Sequence, residues 1–288
     1  MIVVAHYYPV YIKSNGKPAG WWARPYSQFG GDYKAAPMRF EPLIGRYDVR
    51  DKETVKWQVR EAFKHSIDAF VVSLWYSVIQ GNWEKDALEG FISSFEALRS
   101  EGDYYASEFY LAFMIEGHNR TDTEVQEMID YVWDNYASKD WYLKDPDTGD
   151  PLLVIYRPEG KVTITNPGFT VYWCASGASD DEKWPYGGRI TATRQQRNYT
   201  YSSGVMTMIF DYITRTSFRY TNAPNTVLNP LNIKQILRDL MAAYAINPKY
   251  LAIISWNEYF ETPIEPTKQF GRLYLNLIAR VLGYRSYE

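Results

Sequence analysis

The fold is decided by residues 69–75, Ala-Phe-Val-Val-Ser-Leu-Trp, and by the two segments that flank them. The run is apolar and rich in β-branched and aromatic residues, which is typical of a buried strand. Before it, a helix is predicted to begin at Asp51, because apolar residues then recur at helical spacing from Val55 to Phe63. After it, a second helical pattern runs from Leu88 to Leu98. A strand enclosed by two helices predicts a parallel sheet wrapped by helices.

The same alternation of strands and helices continues along the rest of the chain. A short run at 161–165 is a candidate eighth strand, whereas the Gly- and Pro-rich segment around Gly20 and the polar segment 177–203 indicate loops. The first of the later helices has a capping box from Thr121 to Glu124. Six further strands are predicted at 2–8, 110–116, 152–156, 169–173, 205–211 and 251–258, and helices at 121–136, 233–244 and 271–282, the last followed by Gly283.

Together these elements predict an α/β fold, a (β/α)8 TIM-type barrel in which one β/α unit is shortened or irregular. Composition does not shift along the chain in a way that would mark a linker, and the sequence holds no internal repeat. A single catalytic domain is therefore expected to cover residues 1–288.

The composition disfavours several classes of protein. The chain has 288 residues and a formal net charge of −3, so its charge does not favour a nucleic acid or an anionic membrane as a partner. Aromatic residues make up 17% of the chain, with 26 Tyr and 10 Trp. Such rings either fill the core or stack on the apolar faces of sugars while their polar atoms reach sugar hydroxyls. Both interpretations stay open at this point.

Metal ions, cofactors and disulfides are not expected. Cys174 is the only cysteine, and its apolar surroundings predict a buried small side chain. The three histidines, His6, His65 and His118, do not show zinc-ligand spacing. The first residues lack the basic and long apolar regions of a signal peptide, and no apolar run is long enough to span a membrane. The sequence as given predicts a cytoplasmic protein, or a secreted one if a leader was trimmed; its oligomeric state stays open.

Polar and aromatic side chains follow the predicted strands at the point where each strand ends. In a parallel barrel these carboxyl-terminal strand ends lie on one face, where active sites of this architecture are built. Acids and aromatic rings from five strands would then form a cleft suited to a carbohydrate. For any one of these residues alone, a loop salt bridge or a helix cap is the competing interpretation. The candidate substrate-binding residues are Tyr8, Trp22, Trp75, Tyr76, Glu116, His118, Asp211, Tyr212 and Asn257.

Two acids near the end of the last strand, Glu258 and Glu261, are the candidate catalytic residues. Glycoside cleavage needs two carboxyl groups at the scissile bond, one to protonate the leaving oxygen and one to act as nucleophile or base. In a continued strand the two side chains would lie about 10 Å apart and point to opposite faces. They converge only if the chain turns at residues 259–260, and Pro263 and Pro266 make a continued strand unfavourable.

Several segments resemble the motifs of one enzyme family. Residues 255–261, Ser-Trp-Asn-Glu-Tyr-Phe-Glu, followed by Ile-Glu-Pro at 264–266, resemble the last-strand motif S-[FWY]-N-E-W-H-E-G-T-Q-I-E-P of the endo-α-mannosidases, glycoside hydrolase family 99. Residues 7–11 are similar to that family's Y-Y-P-W-Y, and residues 70–76 to its F-V-V-S-W-W. Phe-Met-Ile-Glu at 113–116, with Arg120, resembles F-H-I-E-P-Y-x-G-R. The similarities cover most of the chain and occur in the family's order.

The resemblance implies a (β/α)8 barrel that cleaves within α-mannosides with retention and without a metal. It implies that Glu258 acts as a base on the sugar 2-hydroxyl, giving a 1,2-anhydro intermediate. Glu261 would protonate the leaving group and then activate water, a division that suits two carboxyl groups with different pKa values. The chain departs from the family at residues 259–260, where the family has Trp-His, and at residues 117–118, where it has Pro-Tyr. The glycan, its linkage and endo or exo action therefore stay open.

Two hypotheses about function follow. The first is a retaining glycoside hydrolase that cleaves an α-linked glycan, with Glu258 as base and Glu261 as general acid/base. The second is a non-catalytic carbohydrate-binding barrel that serves as an accessory protein in polysaccharide metabolism, which the altered motif and the aromatic content also allow. In both cases the expected partner is an oligosaccharide or polysaccharide, and hydrolysis as against binding without product separates the two.

Overall fold

A computed structural model describes the chain at residues 1–23, 40–179, 182, 184, 205–208, 237, 240–241, 244–245, 248–253, 255–259 and 263–285. The strands of this part of the chain are β1 (Ile2–Tyr7), β2 (Tyr11–Ser14), β3 (Lys17–Gly20), β4 (Ala69–Leu74), β5 (Tyr110–Glu116), β6 (Leu152–Arg157), β7 (Thr170–Ala175), β8 (Val205–Met208) and β9 (Tyr250–Ile253). The helices with complete bounds are α1 (Lys52–Lys64), α2 (Tyr76–Ile79), α3 (Trp83–Ser100), α4 (Tyr104–Ser107), α5 (Asp122–Asn135) and α6 (Leu273–Leu282).

Seven of these strands form one sheet in the spatial order β7-β6-β5-β4-β1-β9-β8, and every neighbouring pair is parallel. They are the seven strands that the sequence predicts. Helices follow β4 and β5 and precede β4, whereas residues 158–169, between β6 and β7, are not helical. At the centre of the sheet, Val4 of β1 lies opposite Ala69 on one side and Ala252 on the other. Strands β1, β4, β5 and β9 are buried along almost their whole length, as expected for parallel strands covered on both faces.

The predicted helix ends are confirmed as well. The Asp51 side chain caps α1 by accepting a hydrogen bond from the Thr54 amide at 2.9 Å. Both bonds of the capping box between Thr121 and Glu124 are present at the start of α5. Gly283, with a φ of 104°, is the residue at which α6 ends. Residues 237, 240–241 and 244–245 are helical, in agreement with the helix predicted near 233–244.

Two predictions about local structure are wrong. Residues 161–165 are not a strand, because the backbone of Thr165 is held by the side chain of Gln126 on α5, which accepts at 2.7 Å and donates at 3.0 Å. The segment before Gly20 is not only a loop, since β2 and β3 form an antiparallel hairpin. Asn15 and Gly16 at its tip both have positive φ, 51° and 73°, which is the requirement of a type I′ turn.

The parallel sheet curls strongly, so that strands distant in its order meet. Tyr172 on β7 and Tyr250 on β9 have ring centroids 5.9 Å apart. These strands are five steps apart in the sheet, which in a flat sheet would be roughly 24 Å. Between the two rings, the buried carboxylate of Asp145 accepts hydrogen bonds from the Tyr172 hydroxyl at 3.1 Å and the Tyr250 hydroxyl at 3.0 Å. Because all seven strands are parallel, their carboxyl ends lie on one face of the curled sheet.

A short segment pairs with the outer edge of β7. The Trp173 amide donates to the Glu182 carbonyl at 2.6 Å, and the Trp184 amide donates to the Trp173 carbonyl at 2.9 Å, which is the pattern of a parallel pair. The buried Trp184 side chain enters the sheet interior, where its Nε1 donates to His6 Nε2 at 3.1 Å and its ring lies 5.5 Å from that of Tyr250. The described residues therefore show a barrel-like parallel sheet of seven strands, while the eighth β/α unit stays a prediction.

Candidate active site

The chain bends back on itself directly after β9. The Trp256 amide still pairs with β1, donating to the His6 carbonyl at 2.7 Å. The Ile264 amide then donates to the Ser255 carbonyl at 3.0 Å, and the Glu265 amide to the Trp256 carbonyl at 2.9 Å. The chain therefore leaves the sheet and returns between Trp256 and Ile264. This bend is the condition under which the two candidate acids can converge.

Glu258 lies in this bend and is half-buried. Its backbone amide donates to the Ser255 hydroxyl at 3.0 Å. This hydrogen bond fixes the backbone of Glu258 relative to the residue that precedes the bend. Burial holds the pKa of Tyr11 well above its ordinary value, and the nearby acids Glu258 and Glu265 act in the same direction. Glu258 thus lies close to a buried phenol that stays protonated. Its partner Glu261 lies outside the described residues, as do the predicted substrate-binding residues Asp211 and Tyr212.

Asn257 is fully buried and both ends of its side-chain amide are occupied. Its Oδ1 accepts from the Tyr8 amide at 2.8 Å, and its Nδ2 donates to the Tyr8 carbonyl at 3.0 Å. The same nitrogen also lies 3.3 Å from the Tyr47 hydroxyl. Asn257 was predicted to bind the sugar. In the described residues it joins the bend to the end of β1 and so fixes the position of the backbone next to Glu258.

Three aromatic rings meet beside the ends of β1 and β4. Tyr8 lies 5.9 Å from Trp21 and 5.7 Å from Trp75, and the two tryptophan rings are 5.5 Å apart. Trp75 is half-buried, whereas the other two rings are buried. Tyr8 and Trp75 were both expected in the cleft, and the structure brings them together. Trp21 is an additional member that the sequence indicates only through the Trp21-Trp22 pair.

Trp22, the member of that pair expected to bind substrate, packs behind the bend. It is 5% exposed, its Nε1 donates to the Tyr47 carbonyl at 2.7 Å, and its ring stacks on Tyr259 at 5.4 Å. Tyr11 lies 4.5 Å from Trp22 and 5.0 Å from Tyr259, which completes an aromatic layer beneath Glu258. Trp22 therefore supports the bend through its ring contacts.

Glu116, the last residue of β5, is a half-buried acid at the same end of the sheet. The hydroxyl of Ser73 on β4 donates to its carboxyl group at 2.9 Å. Burial raises the pKa of Glu116 to about 7, although the hydrogen bond from Ser73 acts to lower it. The group can therefore carry or release a proton near neutral pH. Ser73, a hydroxyl in an apolar strand, is a positioning contact that sequence inspection missed.

His118 lies two residues further on and is exposed. Its Nδ1 lies 2.9 Å from the carboxylate of Glu159, which also accepts from the Asn119 amide at 2.6 Å. Burial acts to raise the pKa of Glu159, but the hydrogen bonds from His118 and from backbone amides outweigh it and lower that pKa to about 2. An ionised carboxylate therefore joins the loops after β5 and β6 at the rim of the site, which is the surface formed by the carboxyl ends of the strands and the loops that follow them. Glu159 was not expected from the sequence.

Tyr76 points toward α5. Its hydroxyl donates to Glu127 at 2.6 Å, and the guanidinium of Arg120 lies over its ring at 5.3 Å. Arg120 also pairs with Glu124 at 3.4 Å. The predicted sugar-binding residue Tyr76 thus has a hydroxyl that already binds a carboxylate, while its ring forms the side of the rim.

A buried polar network lies directly behind the bend. Glu265, which is 1% exposed, accepts from Gln58 Nε2 at 3.1 Å, and its other carboxyl oxygen hydrogen-bonds with the hydroxyls of Tyr47, at 3.0 Å, and Tyr259. The Tyr7 hydroxyl in turn donates to Gln58 Oε1 at 2.8 Å. Burial raises the pKa of Glu265 to about 8, although its three hydrogen bonds act to lower it. The carboxyl group is therefore largely un-ionised at pH 7.

The described part of the chain holds neither a three-residue metal site nor a helix that could span a membrane. No three side chains of His, Cys, Asp or Glu there lie close enough together to hold a metal ion. Among the same residues, no helix combines the length and the apolar character needed to cross a bilayer.

No protein-family model matches the chain, and no curated protein matches it. Solved structures resemble it in fold. Two are of the glycoside hydrolase family 99 endo-α-mannosidase from Bacteroides thetaiotaomicron, one of them in complex with bis-tris propane. The TM-score is 0.59 for the complex and 0.55 for the other structure. In both comparisons the identity is 17%, and the match covers 97% of this chain and 96% of the solved chain. A structure described as a glycoside hydrolase-like protein gives 0.57 at 12% identity over 99% of this chain and 94% of its own. The resemblance seen in the sequence is confirmed at the level of fold.

Proposed function

We propose that the chain is a retaining glycoside hydrolase that cleaves an α-linked glycan in the manner of an endo-α-mannosidase. The observation that carries the proposal is the position of Glu258, half-buried in a bend at the carboxyl end of β9. Active sites of parallel barrels are built at this end of the strands. The fold shared with structures of glycoside hydrolases supports the same class of reaction.

In the proposed reaction, Glu258 removes the proton of the sugar 2-hydroxyl while the oxygen of that group attacks C1. The bond from C1 to the leaving oxygen breaks, and Glu261 donates a proton to that oxygen. Water then attacks C1 and gives a proton to Glu261, while the 2-oxygen leaves C1 and recovers its proton from Glu258. Two inversions at C1 give net retention.

The rim supplies groups suited to holding a sugar. The half-buried face of Trp75, backed by Tyr8 and Trp21, offers an apolar surface for the C–H groups of a pyranose ring. Glu116 and His118 present polar atoms on the adjoining strand end. Tyr76, Asp211 and Tyr212 are proposed as further contacts, whereas Trp22 and Asn257 act by holding the bend.

The experiment that tests this function replaces each acid separately, as Glu258→Gln and Glu261→Gln. General acid or base catalysis contributes about 10²–10⁴-fold to rate, so each variant should lose that much turnover on a cleaved α-linked oligosaccharide. The products are analysed by NMR early in the reaction, and the α anomer should appear first. Glu108→Gln, at an exposed acid before β5, is the matched control and should keep full activity.

Unchanged turnover in either catalytic variant would contradict the assignment, and early release of the β anomer would contradict retention. A wild-type chain that binds glycans from a broad panel but yields no product would instead support the second hypothesis, a non-catalytic carbohydrate-binding barrel. The aromatic rim would serve both functions, so the panel must be scored for binding and for product.

A further inference from the structure

We propose that Glu265 is a positioning residue for Glu258, because its un-ionised carboxyl group holds the chain on both sides of that acid. The inference rests on the proposed role of Glu258 as the catalytic base. Glu265 itself is 1% exposed and cannot reach a substrate in the cleft. It acts through the residues that it contacts, and its loss of a proton should therefore lower activity without altering the sugar-binding surface.

The contacts of Glu265 reach every residue next to Glu258 in the bend. On the far side, the Tyr259 hydroxyl bonds to the Glu265 carboxyl group. On the near side, Asn257 Nδ2 lies 3.3 Å from the Tyr47 hydroxyl, which lies 3.0 Å from that carboxyl group. The Glu265 amide also donates to the Trp256 carbonyl at 2.9 Å. Glu258 is thus flanked by residues that share one buried anchor.

A count of hydrogens favours a protonated carboxyl group in this arrangement. The Oε2 atom of Glu265 and the hydroxyl oxygens of Tyr47 and Tyr259 form a triangle, in which the two phenols are 3.0 Å apart. Three contacts need three hydrogens, and the two phenols supply only two. The third is available only if the carboxyl group keeps its proton. Ionisation would leave one side of the triangle without a hydrogen.

The surroundings of Glu265 do not offer a compensating positive charge. Among the described residues, no Lys, Arg or His forms an ion pair with it, and a buried carboxylate without a cation is strongly disfavoured. The groups that face it from β1, β2, the segment before α1, α1 itself and the bend are Tyr7, Tyr11, Tyr47, Gln58 and Tyr259. Glu258 already acts electrostatically on Tyr11 in this cluster, so an ionised Glu265 would add a second negative charge. Repulsion between the two charges would disfavour the ionised form of Glu258.

The test compares wild type with Glu265→Gln, which is neutral at every pH. Since other titrating groups are common to both proteins, the ratio of wild-type to variant kcat isolates Glu265. With a pKa of about 8, that ratio should fall about tenfold between pH 7 and pH 9, while the ratio of KM values stays within about twofold. Glu61→Gln removes another buried acid, one paired with Arg272, and should leave the pH profile unchanged.

Glutamine brings two N–H hydrogens to the triangle, so one phenol hydrogen is left without an acceptor. If Glu265→Gln does not fold, the double variant Glu265→Gln/Tyr259→Phe removes that surplus hydrogen, and Tyr259→Phe alone is its matched control. Only the variants in which glutamine replaces Glu265 should lose the decrease in kcat that is expected between pH 7 and pH 9. A pH profile of the double variant that matches Tyr259→Phe would overturn the inference.

Urea unfolding at several pH values separates this inference from the proposed function. Because the folded-state pKa is raised, wild type should lose stability relative to Glu265→Gln as pH rises from about 4.5 to about 8. A flat difference overturns the inference, and so does a sloping difference with a flat activity ratio. If wild type cleaves no glycan, the proposed function fails, and the slope of the unfolding difference alone decides whether Glu265 keeps its proton in the folded chain.

Discussion

Replacing Asp145 with alanine should destabilise the fold strongly, because this carboxylate joins two strands that are far apart in the sheet order. Asp145 is fully buried and accepts from the hydroxyls of Tyr172 at 3.1 Å and Tyr250 at 3.0 Å. The amide of Asp147 donates to it at 2.9 Å, and Lys249 Nζ lies 3.3 Å away. It therefore fastens β7 to β9 across the inside of the curled sheet.

The expected loss of unfolding free energy follows from the hydrogen-bond donors that would have no acceptor after Asp145→Ala. Each buried donor left without an acceptor costs about 1–3 kcal/mol, and two phenol hydroxyls lose theirs. The lysine contributes little, since Lys249 is 19% exposed and keeps Asp147 at 2.5 Å. At that cost for each of the two phenols, we expect Asp145→Ala to lower the free energy of unfolding by about 2–6 kcal/mol.

The contribution should also depend on pH. Burial acts to raise the pKa of Asp145, but the hydrogen bonds from Asp147 and Tyr250 and the charge of Lys249 outweigh it and hold that pKa below its ordinary value. For an acid with a lowered folded-state pKa, the stabilisation is present above the unfolded pKa and is lost as pH falls through the folded one. The difference between wild type and Asp145→Ala should therefore shrink in acid.

The assay is urea unfolding followed by circular dichroism at pH 7, with the slope m checked for a change in two-state behaviour. Asp147→Ala is the matched control, because Asp147 pairs with the same lysine but is 68% exposed, and it should cost less than about 1 kcal/mol. In the Asp145→Ala background, Tyr172→Phe should add little, since its hydroxyl has already lost its acceptor. A loss for Asp145→Ala no larger than for Asp147→Ala would refute the reasoning.

Two further changes test the segments that frame the site. Gly20→Ala should cost about 2–5 kcal/mol, since an added Cβ would lie 2.5 Å from the Val10 carbonyl oxygen at a φ of +59°. Gly16→Ala in the same hairpin has a φ of +73° with nothing within 4 Å, so only about 1–2 kcal/mol is expected, and equal losses in urea unfolding would contradict the close approach. Because the folded-state pKa of Glu116 is raised to about 7, wild type should lose up to roughly 3 kcal/mol relative to Glu116→Gln as pH rises from about 4.5 to 7. A difference in unfolding free energy that does not change with pH would show that Glu116 is not held protonated.

Features that depend on neighbours in the chain could be predicted from the sequence. The cap at Asp51 and the capping box at Thr121 need only residues within one helical turn, and both are present. The seven strands were found from short apolar runs, because a parallel strand is buried on both faces whichever strands lie beside it. The hairpin tip at Asn15 and Gly16 carried an equally local signal, a type I′ turn, that was overlooked.

Features that depend on distant partners could not be predicted in the same way. Trp21 faces the rim, and Trp22 does not, because of the way the hairpin packs on Tyr8 and Trp75. Trp75 is more than fifty residues away from Trp21 in the chain. Ser73 reaches Glu116 only because β4 and β5 are neighbours. Residues 161–165 have an alternating pattern, yet the side chain of Gln126 occupies their backbone groups. Such choices are made by hydrogen-bond partners that a single segment does not contain.

By itself the sequence determined the order of strands and helices and the end of the sheet at which polar side chains collect, and its resemblance to one enzyme family indicated Glu258 as the candidate base. Only the tertiary structure decided that the chain turns back after Trp256 and that Glu265 lies behind the turn as a buried acid. The reason is physical: periodicity and caps depend on energies within a few residues, whereas burial and the pKa of a carboxyl group depend on what the whole fold places around it.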